Sequence, residues 1–248
     1  MKKNMLLLLI ALVWGFQLNA QSGWEVRLLP QVAFGANNDL QRPTDATGTR
    51  FSLGKDLGRK NSAVFAPRVE VEYNYKRHRF IATMALLRET FDGVAGKDIL
   101  YNEDVFKQGS RVDATYRFNT YRIGYRYRII DNSALNLELG ATILLRDAFI
   151  SLEDDNKESR FSNVGVAPLL SYSIEWKAAP RLGILSYGDA FAVKAGRAID
   201  VFAGARYRFS ETLSGYLGYR LLEGGSDGER VYTMATYHFL SLGLGIKF

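Results

Sequence analysis

The residues with the strongest chemical character in this sequence are arginine, glutamate and aspartate side chains that recur at alternate positions. Arg68, Glu70 and Glu72 form one such series, and Arg126 and Arg128 belong to another. Planar guanidinium groups bind carboxylates through paired hydrogen bonds, and they also attract small anions. These residue types at this spacing therefore predict either a network of salt bridges or a path for anions, wherever the chain brings them together.

Groups that could perform nucleophilic or acid-base catalysis are few. The sequence contains two histidines, His78 and His238, and no cysteine. A serine nucleophile needs a neighbouring histidine, but His238 and Ser241 are three positions apart and so face opposite sides of a strand. We therefore predict no catalytic residue, no metal site and no cofactor. An enzyme that modifies lipid A or phospholipid, with His238 or His78 beside an acyl chain, is the alternative.

The elements that must position the charges are predicted to be β-strands with two different faces. In the segment 135–146, apolar residues occupy the odd positions, whereas most even positions are polar, charged or glycine. The segment 199–209 repeats this pattern, with apolar residues at every odd position. A period of two with one apolar and one polar face is typical of a membrane strand between lipid and a lumen. Longer polar segments, such as 36–62 and 92–110, are predicted to be surface loops.

The fold class predicted by these segments is all-β, an antiparallel transmembrane up-and-down β-barrel. We expect ten strands, with eight as the alternative, and the count depends on the segment 181–197. If 182–189 is a strand and 190–196 a loop, the total is ten and both termini lie on the same side of the membrane. In the long strand 111–130, the charged face changes near Asn119 and Thr120, which predicts either a bulge or a strand that extends past the bilayer.

The N-terminal segment 1–20 is predicted to be a signal peptide. It has Lys2 and Lys3, then an apolar run that ends at Phe16, and small residues before the cleavage point. The remaining residues, 21–248, are expected to form a single barrel domain. Without Lys2 and Lys3, 30 of the 32 basic residues remain against 26 acidic ones. This mild excess gives no reason to expect a nucleic acid partner.

The C-terminal strand alternates regularly and ends on phenylalanine. One face is formed by Leu240, Leu242, Leu244, Ile246 and Phe248. Such a strand resembles the signal by which Gram-negative outer-membrane barrels are recognised for assembly. From the predicted signal peptide to Phe248, the chain resembles small Gram-negative outer-membrane β-barrel proteins. The resemblance implies an outer-membrane location, contact with outer-membrane lipids and lipopolysaccharide, and recognition by the barrel-assembly machinery, and we expect a monomer.

Inside such a barrel, the charged faces of the strands meet in the lumen. One unpaired buried charge costs several kcal/mol, so we expect the side chains to interlock as salt bridges. The predicted lumen charge network contains Arg68, Glu70, Glu72, Arg122, Arg126, Arg128, Glu138, Arg146, Asp200, Arg206, Arg208 and Arg220. Glu25, Arg27 and Glu175 also fall on inward positions. A narrow, porin-like path lined by surplus arginine is the other interpretation. We thus expect a non-catalytic protein of the cell envelope, with a largely filled lumen and a structural, binding or solute-passage role.

Overall fold

The computed structural model describes residues 22–45, 47–194 and 196–248, so the predicted signal peptide, 1–20, lies outside it. This part of the chain contains sixteen strands and one helical turn, Leu53–Leu57. The strands are β1 (Ser22–Leu29), β2 (Gln31–Gln41), β3 (Phe51–Ser52), β4 (Val64–Phe65), β5 (Arg68–Tyr75), β6 (His78–Ala85), β7 (Arg88–Val94), β8 (Ile99–Tyr101), β9 (Asp104–Phe106), β10 (Arg111–Asp131), β11 (Leu135–Asp154), β12 (Lys157–Ala179), β13 (Leu182–Val193), β14 (Gly196–Arg208), β15 (Leu213–Gly228) and β16 (Val231–Lys247). Among the described residues, no helix is long and apolar enough to cross a membrane.

Fourteen of these strands form one antiparallel sheet that closes on itself. From β1 the order is β5, β6 and then β10 to β16, and β16 returns to pair with both β1 and β2. The strands β8 and β9 form a separate hairpin. The all-β antiparallel fold is confirmed. The described chain has more strands than the predicted ten or eight, and neither count is confirmed.

Outward-facing side chains are apolar and exposed, whereas charged side chains inside the sheet are buried. Ile123 and Leu170 are 75% and 76% exposed, but Glu72 and Asp200 are 1% and 4% exposed. A protein in water buries apolar groups and exposes charges, so this inversion matches lipid outside and a polar lumen inside. We call the outward band the apolar belt. It includes Ile123, Ile143, Val164, Val166, Leu170, Trp176, Leu217, Leu240, Leu242 and Leu244.

In the long strand β10, the charged face changes near Asn119 and Thr120 because the strand extends beyond the apolar belt, and the predicted alternative of a bulge at this point is wrong. The pairing of β10 with β11 is regular from Asp113 to Arg128, and the irregularity lies just beyond Arg128. Charged residues occupy the inward face of β10 within the belt and the outward face above it, because the polar surroundings change sides. Above the belt, the inside of the sheet is apolar, with Tyr116 buried, and the outside meets water.

The segments 36–62 and 92–110, predicted to be surface loops, form a packed cap at one end of the barrel. The first contributes β3 and the helical turn, and the second contributes the β8–β9 hairpin. Their apolar side chains join the upper strands in one core, and we call these segments with that core the cap. The core includes Leu40, Phe51, Leu53, Leu57, Phe91, Ile99, Tyr101, Phe106, Val112, Tyr116, Ile150, Leu152, Tyr237 and Phe239. This core covers part of the upper lumen.

The segment 190–196, predicted to be a loop, belongs mostly to a hairpin. The strand β13 continues to Val193, and β14 begins at Gly196, opposite it. Alternation in this segment is weak because its outward side chains are mostly small. As a consequence, Asp189 lies within a strand and points into the lumen.

Candidate functional site: the interior of the barrel

The lumen is crossed by a set of interlocked charges that we call the charge layer. Its side chains come from strands on all sides of the barrel. The layer consists of Glu25, Arg27, Arg68, Glu70, Glu72, Arg79, Arg122, Arg126, Arg128, Glu138, Asp189, Asp200 and Arg220. Seven guanidinium groups thus meet six carboxylates, which leaves little net charge inside the barrel.

Asp200, on β14, is an acceptor shared by three arginines. Arg220 Nε and Nη2 donate to its two carboxylate oxygens at 2.6 and 2.8 Å. Arg68, on β5, donates to it at 3.2 Å, and Arg122, on β10, forms an ion pair with it. Because β5, β10 and β14 are not neighbours in the sheet, these bonds cross the lumen.

Arg27 joins three carboxylates on the other side of the layer. It donates to Glu25 at 2.8 Å, to Glu72 at 2.9 Å and to Glu70 at 3.3 Å. Its guanidinium carbon lies 5.0 Å from the centre of the Tyr216 ring, where cation–π attraction adds to the ion pairs. Each of the three guanidinium nitrogens therefore donates to a carboxylate, and an aromatic ring lies over the group.

Asp189 and Arg79 are members of the layer that the sequence analysis did not include. Asp189 accepts a hydrogen bond from Thr142 at 2.9 Å and lies 3.4 Å from Arg122. Arg79 lies 3.4 Å from Glu72 and 3.2 Å from Glu138. The alternation of faces along a strand is enough to place both residues inside the barrel. Asp189 is two positions from the buried Tyr187, and Arg79 is two positions from the buried Ile81.

Three residues of the predicted network lie outside the layer. Arg206 pairs with Glu175 nearer the end of the barrel that lies opposite the cap. Arg146 donates to the side-chain oxygen of Asn163 at 2.6 Å, and Arg208 donates to the carbonyl oxygen of Pro180 at 2.9 Å. None of the carboxylates that the structure describes lies within salt-bridge distance of Arg146 or Arg208. The other nine predicted residues belong to the layer.

The layer leaves little space for a solute. The void among Arg68, Glu70, Arg122, Arg126 and Tyr187 has a volume of about 10 Å³. A single water molecule needs roughly this much space. Passage of a larger solute through this point would require several buried salt bridges to open together.

Both histidines lie on the outer surface of the barrel, next to outward-facing tyrosines. His78 Nδ1 lies 2.8 Å from the Tyr125 hydroxyl, and His238 is hydrogen-bonded to the Tyr219 hydroxyl. Ser241 points inward and accepts a hydrogen bond from Gln31 at 2.6 Å. In the described part of the chain, neither histidine contacts a carboxylate, and no cluster of three or more potential metal ligands occurs. His238 and Ser241 therefore form no catalytic pair.

A separate polar cluster lies above the belt, where the cap meets the upper strands. The Tyr237 hydroxyl donates to Glu89 at 2.6 Å, and Asn38 donates to that hydroxyl at 2.9 Å. Arg59 Nε donates to the other Glu89 oxygen at 2.9 Å. Burial raises the pKa of Glu89 above its ordinary value of 4.5, although Tyr237 and Arg59 oppose this shift.

Comparison with known proteins gives a match in fold but none in sequence. No protein family and no curated protein matches the chain. Among solved structures, the outer membrane protease OmpT from Escherichia coli aligns with a TM-score of 0.51 at 8% identity, over 92% of this chain and 97% of that one. The fold is that of an outer-membrane β-barrel. The fold and the apolar belt together indicate an outer-membrane location.

Two further barrels align less closely. The attachment invasion locus protein Ail of Yersinia pestis has a TM-score of 0.40 and 9% identity, over 91% of this chain and 99% of that one. Neisserial surface protein A has a TM-score of 0.37 and 14% identity, over 90% and 97% of the two chains. At these values the likeness concerns fold alone.

The seam of the barrel is closed by its last residue. Phe248 N donates to the Trp24 carbonyl at 2.9 Å, and Trp24 N donates to the Phe248 carbonyl at 3.3 Å. The predicted assembly-signal residues Leu240, Leu242 and Leu244 face outward in the belt, 60%, 67% and 50% exposed. Ile246 and Phe248 continue this face, 39% and 41% exposed.

Proposed function

We propose that this protein is a non-catalytic, non-conducting outer-membrane barrel whose filled interior holds a rigid extracellular cap. The observation that supports the proposal most directly is the charge layer, which connects opposite walls through Asp200, Arg68 and Arg122. Paired buried charges resist separation because each would remain unpaired in a poorly solvated interior. The layer therefore both blocks the lumen and fixes the strands that carry the cap.

The proposed binding partners are inferred from the residues on the outer surface of the barrel. Lipid chains cover the apolar belt, and we propose that lipopolysaccharide phosphates bind exposed cations of the cap such as Arg50 and Lys55. The barrel-assembly machinery would recognise the outward face of β16 that ends at Phe248. We propose a monomer, since the first and last strands of the barrel pair with each other within one chain.

The proposed barrel has ten membrane-spanning strands, three of which are interrupted once. Register supports this count. Leu28 lies opposite Leu244 and Gln31 opposite Ser241, so β1 and β2 continue one another past Pro30. In the same way, β4 and β5 pair with β2 and β1 in one continuous register, so they form one strand. The strands β6 and β7 likewise pair with β10 in one continuous register. The short strands β3, β8 and β9 then belong to the cap.

Conductance in a planar bilayer tests the closed lumen. We expect the purified wild-type barrel to give no discrete steps, because the charge layer leaves no continuous path. Replacement Arg122→Ala or Arg126→Ala should produce small steps, since each removes a side chain that fills the layer. The matched control is Arg208→Ala, which removes an arginine outside the layer and should remain silent. Discrete anion-selective steps in the wild-type protein would identify a narrow channel and contradict the proposal.

A further inference from the structure

The wall of the barrel is open between β12 and β13 on the extracellular side. The strand β12 pairs with β11 along its length, up to Lys157 opposite Asp154. Its pairing with β13 ends much earlier, at Leu170 opposite Ala190. Within the chain that the structure describes, residues 157–169 therefore have no neighbouring strand on that side.

This open edge begins inside the apolar belt. The outward residues of β12 run from Trp176 to Val164, and Leu170 lies in the middle of that run. Proline lacks an N–H group for strand pairing, so Pro168 just above Leu170 suits an edge position. Unpaired backbone groups are not tolerated against lipid tails, but they are tolerated where they border a polar cavity.

A cavity with both polar and apolar walls lies directly behind the opening. Its volume is about 230 Å³, and its lining includes Gly165 and Ala167 of β12 and Phe191 and Val193 of β13. Both edges of the opening thus border the same space. Much of the remaining wall is apolar or aromatic, including Phe118, Leu144, Leu169 and Leu222.

Two arginines give this cavity a positive end. Arg122 and Arg146 both line it, and the Nε atom of each is buried without a hydrogen-bond partner among the described residues. Arg122 lies opposite Leu144, two positions from Arg146 on the same face, so the two are diagonal neighbours. The Arg122 side chain is only 3% exposed, so its unpaired donor is held inside.

The carboxylates around the cavity do not cancel Arg146. Asp189 and Asp200 are bound by the charge layer, and Glu223 pairs with Arg197. Arg146 has only the neutral oxygen of Asn163 as its partner. An anion in the cavity would therefore meet an uncompensated guanidinium and a second, buried N–H donor.

We propose that the cavity binds a single-chain anionic amphiphile, which enters from the outer leaflet between β12 and β13. Its carboxylate or phosphate head binds Arg146 and Arg122, and its hydrocarbon chain lies against the apolar wall and leaves through the opening into the lipid. This site goes beyond the proposed function, because a closed structural barrel needs no ligand.

Binding of a dansyl-labelled long-chain fatty acid to the barrel in phosphatidylcholine nanodiscs tests the proposal. We expect saturable fluorescence enhancement with the wild-type protein. Ala167→Trp, which fills the cavity beside the opening, should weaken binding by about tenfold or more. Val164→Trp, three residues away on the lipid-facing side of β12, should bind like wild type. Heat-dependent mobility in gel electrophoresis confirms that each variant is folded.

The head group is tested by Arg146→Gln, which keeps much of the side-chain size and lies outside the charge layer. It should weaken binding of the fatty acid by about tenfold, while a dansyl-labelled long-chain alcohol should bind weakly to both proteins. Competition by dodecanoate and by dodecyl phosphate separates a carboxylate ligand from a phosphate ligand. Absence of saturable binding, equal binding by the two tryptophan variants, or no effect of Arg146→Gln would each overturn the proposal. Failure here would leave the conductance result unchanged.

Discussion

At the scale of single residues, Asp200 determines the charge balance of the interior. Replacement Asp200→Asn keeps the shape but removes the charge that Arg68, Arg122 and Arg220 share. Removing one partner of a buried ion pair costs about 3–5 kcal/mol in stability, because the remaining charge is buried without a counter-charge or solvent. We expect a loss of this size in the free energy of unfolding, measured by urea titration in vesicles.

The exposed pair of Arg197 and Glu223 provides the control for Asp200. Water screens this pair, since the Arg197 side chain is 49% exposed. Glu223→Gln should therefore change the free energy of unfolding by less than about 1 kcal/mol. Equal losses in the Asp200 and Glu223 variants would mean that burial of the charge layer does not determine its strength.

Glu89 makes the stability of the cap end of the barrel sensitive to pH. Its pKa is raised in the folded protein because burial disfavours the carboxylate. The stability it contributes is fully present below the unfolded value, near 4.5, and is lost as pH rises through the folded value. Glu89→Gln should remove this loss, so the variant gains stability relative to wild type as pH rises from acidic to neutral. A pH series of urea titrations measures the difference, and a constant or opposite difference would contradict it.

Sequence alternation predicted an inward position for Asp200 and Arg220, but it did not predict their partners. Asp200 receives its arginines from strands far apart in sequence, and no local pattern encodes such contacts. Arg146 illustrates the same limit. Arg146 and Glu138 both lie at even positions of β11 and face inward. Arg146 lies nearer the cap than the charge layer, however, and its partner is the amide oxygen of Asn163 instead of a carboxylate.

At the scale of elements, the cap depends on a few aromatic anchors. Phe106, in the short β8–β9 hairpin, is fully buried in the cap core. Phe106→Ala should cost about 3–5 kcal/mol locally, because it removes a large side chain from a packed site. The expected result is faster proteolysis in the segment 95–110 while the barrel stays folded.

The control for the hairpin is Phe80→Ala, at a lipid-facing position that is 48% exposed. It should leave the rate of cleavage in 95–110 unchanged. Equal cleavage of wild type and Phe106→Ala would show that the hairpin is held by other contacts. The sequence did not predict the cap because Phe51, Leu53, Leu57 and Phe106 lie in segments too short for their periods to show how they pack. Their packing depends on partners in distant segments.

At the scale of the whole molecule, closure depends on the pairing of the first and last strands. The backbone bonds of Phe248 with Trp24 survive Phe248→Ala, but the outward aromatic side chain does not. If this side chain is part of an assembly signal, the amount of folded barrel in the outer membrane should fall several-fold. Quantitative immunoblotting of membrane fractions measures this amount. Refolding of the purified variant in vitro should remain close to that of wild type.

The whole barrel was predicted well in class and less well in detail, for one physical reason. Alternation reports what lies on each side of a strand, and within the belt those surroundings are constant. Above the belt they reverse, so alternation alone does not distinguish a bulge at Asn119 and Thr120 from a strand that continues past the bilayer. The small outward residues of β13 hid the hairpin near Val193 in a similar way.

In evolution, the shared acceptor Asp200 makes changes at Arg68, Arg122 and Arg220 depend on one another. A chain that loses Asp200 keeps three buried cations, whereas a chain that loses one arginine keeps a bound carboxylate. We therefore expect descendants of a common ancestor to change these four positions in a fixed order, with an arginine lost before the aspartate. Such ordered co-variation would reveal ancestry in chains whose overall sequences have diverged beyond recognition.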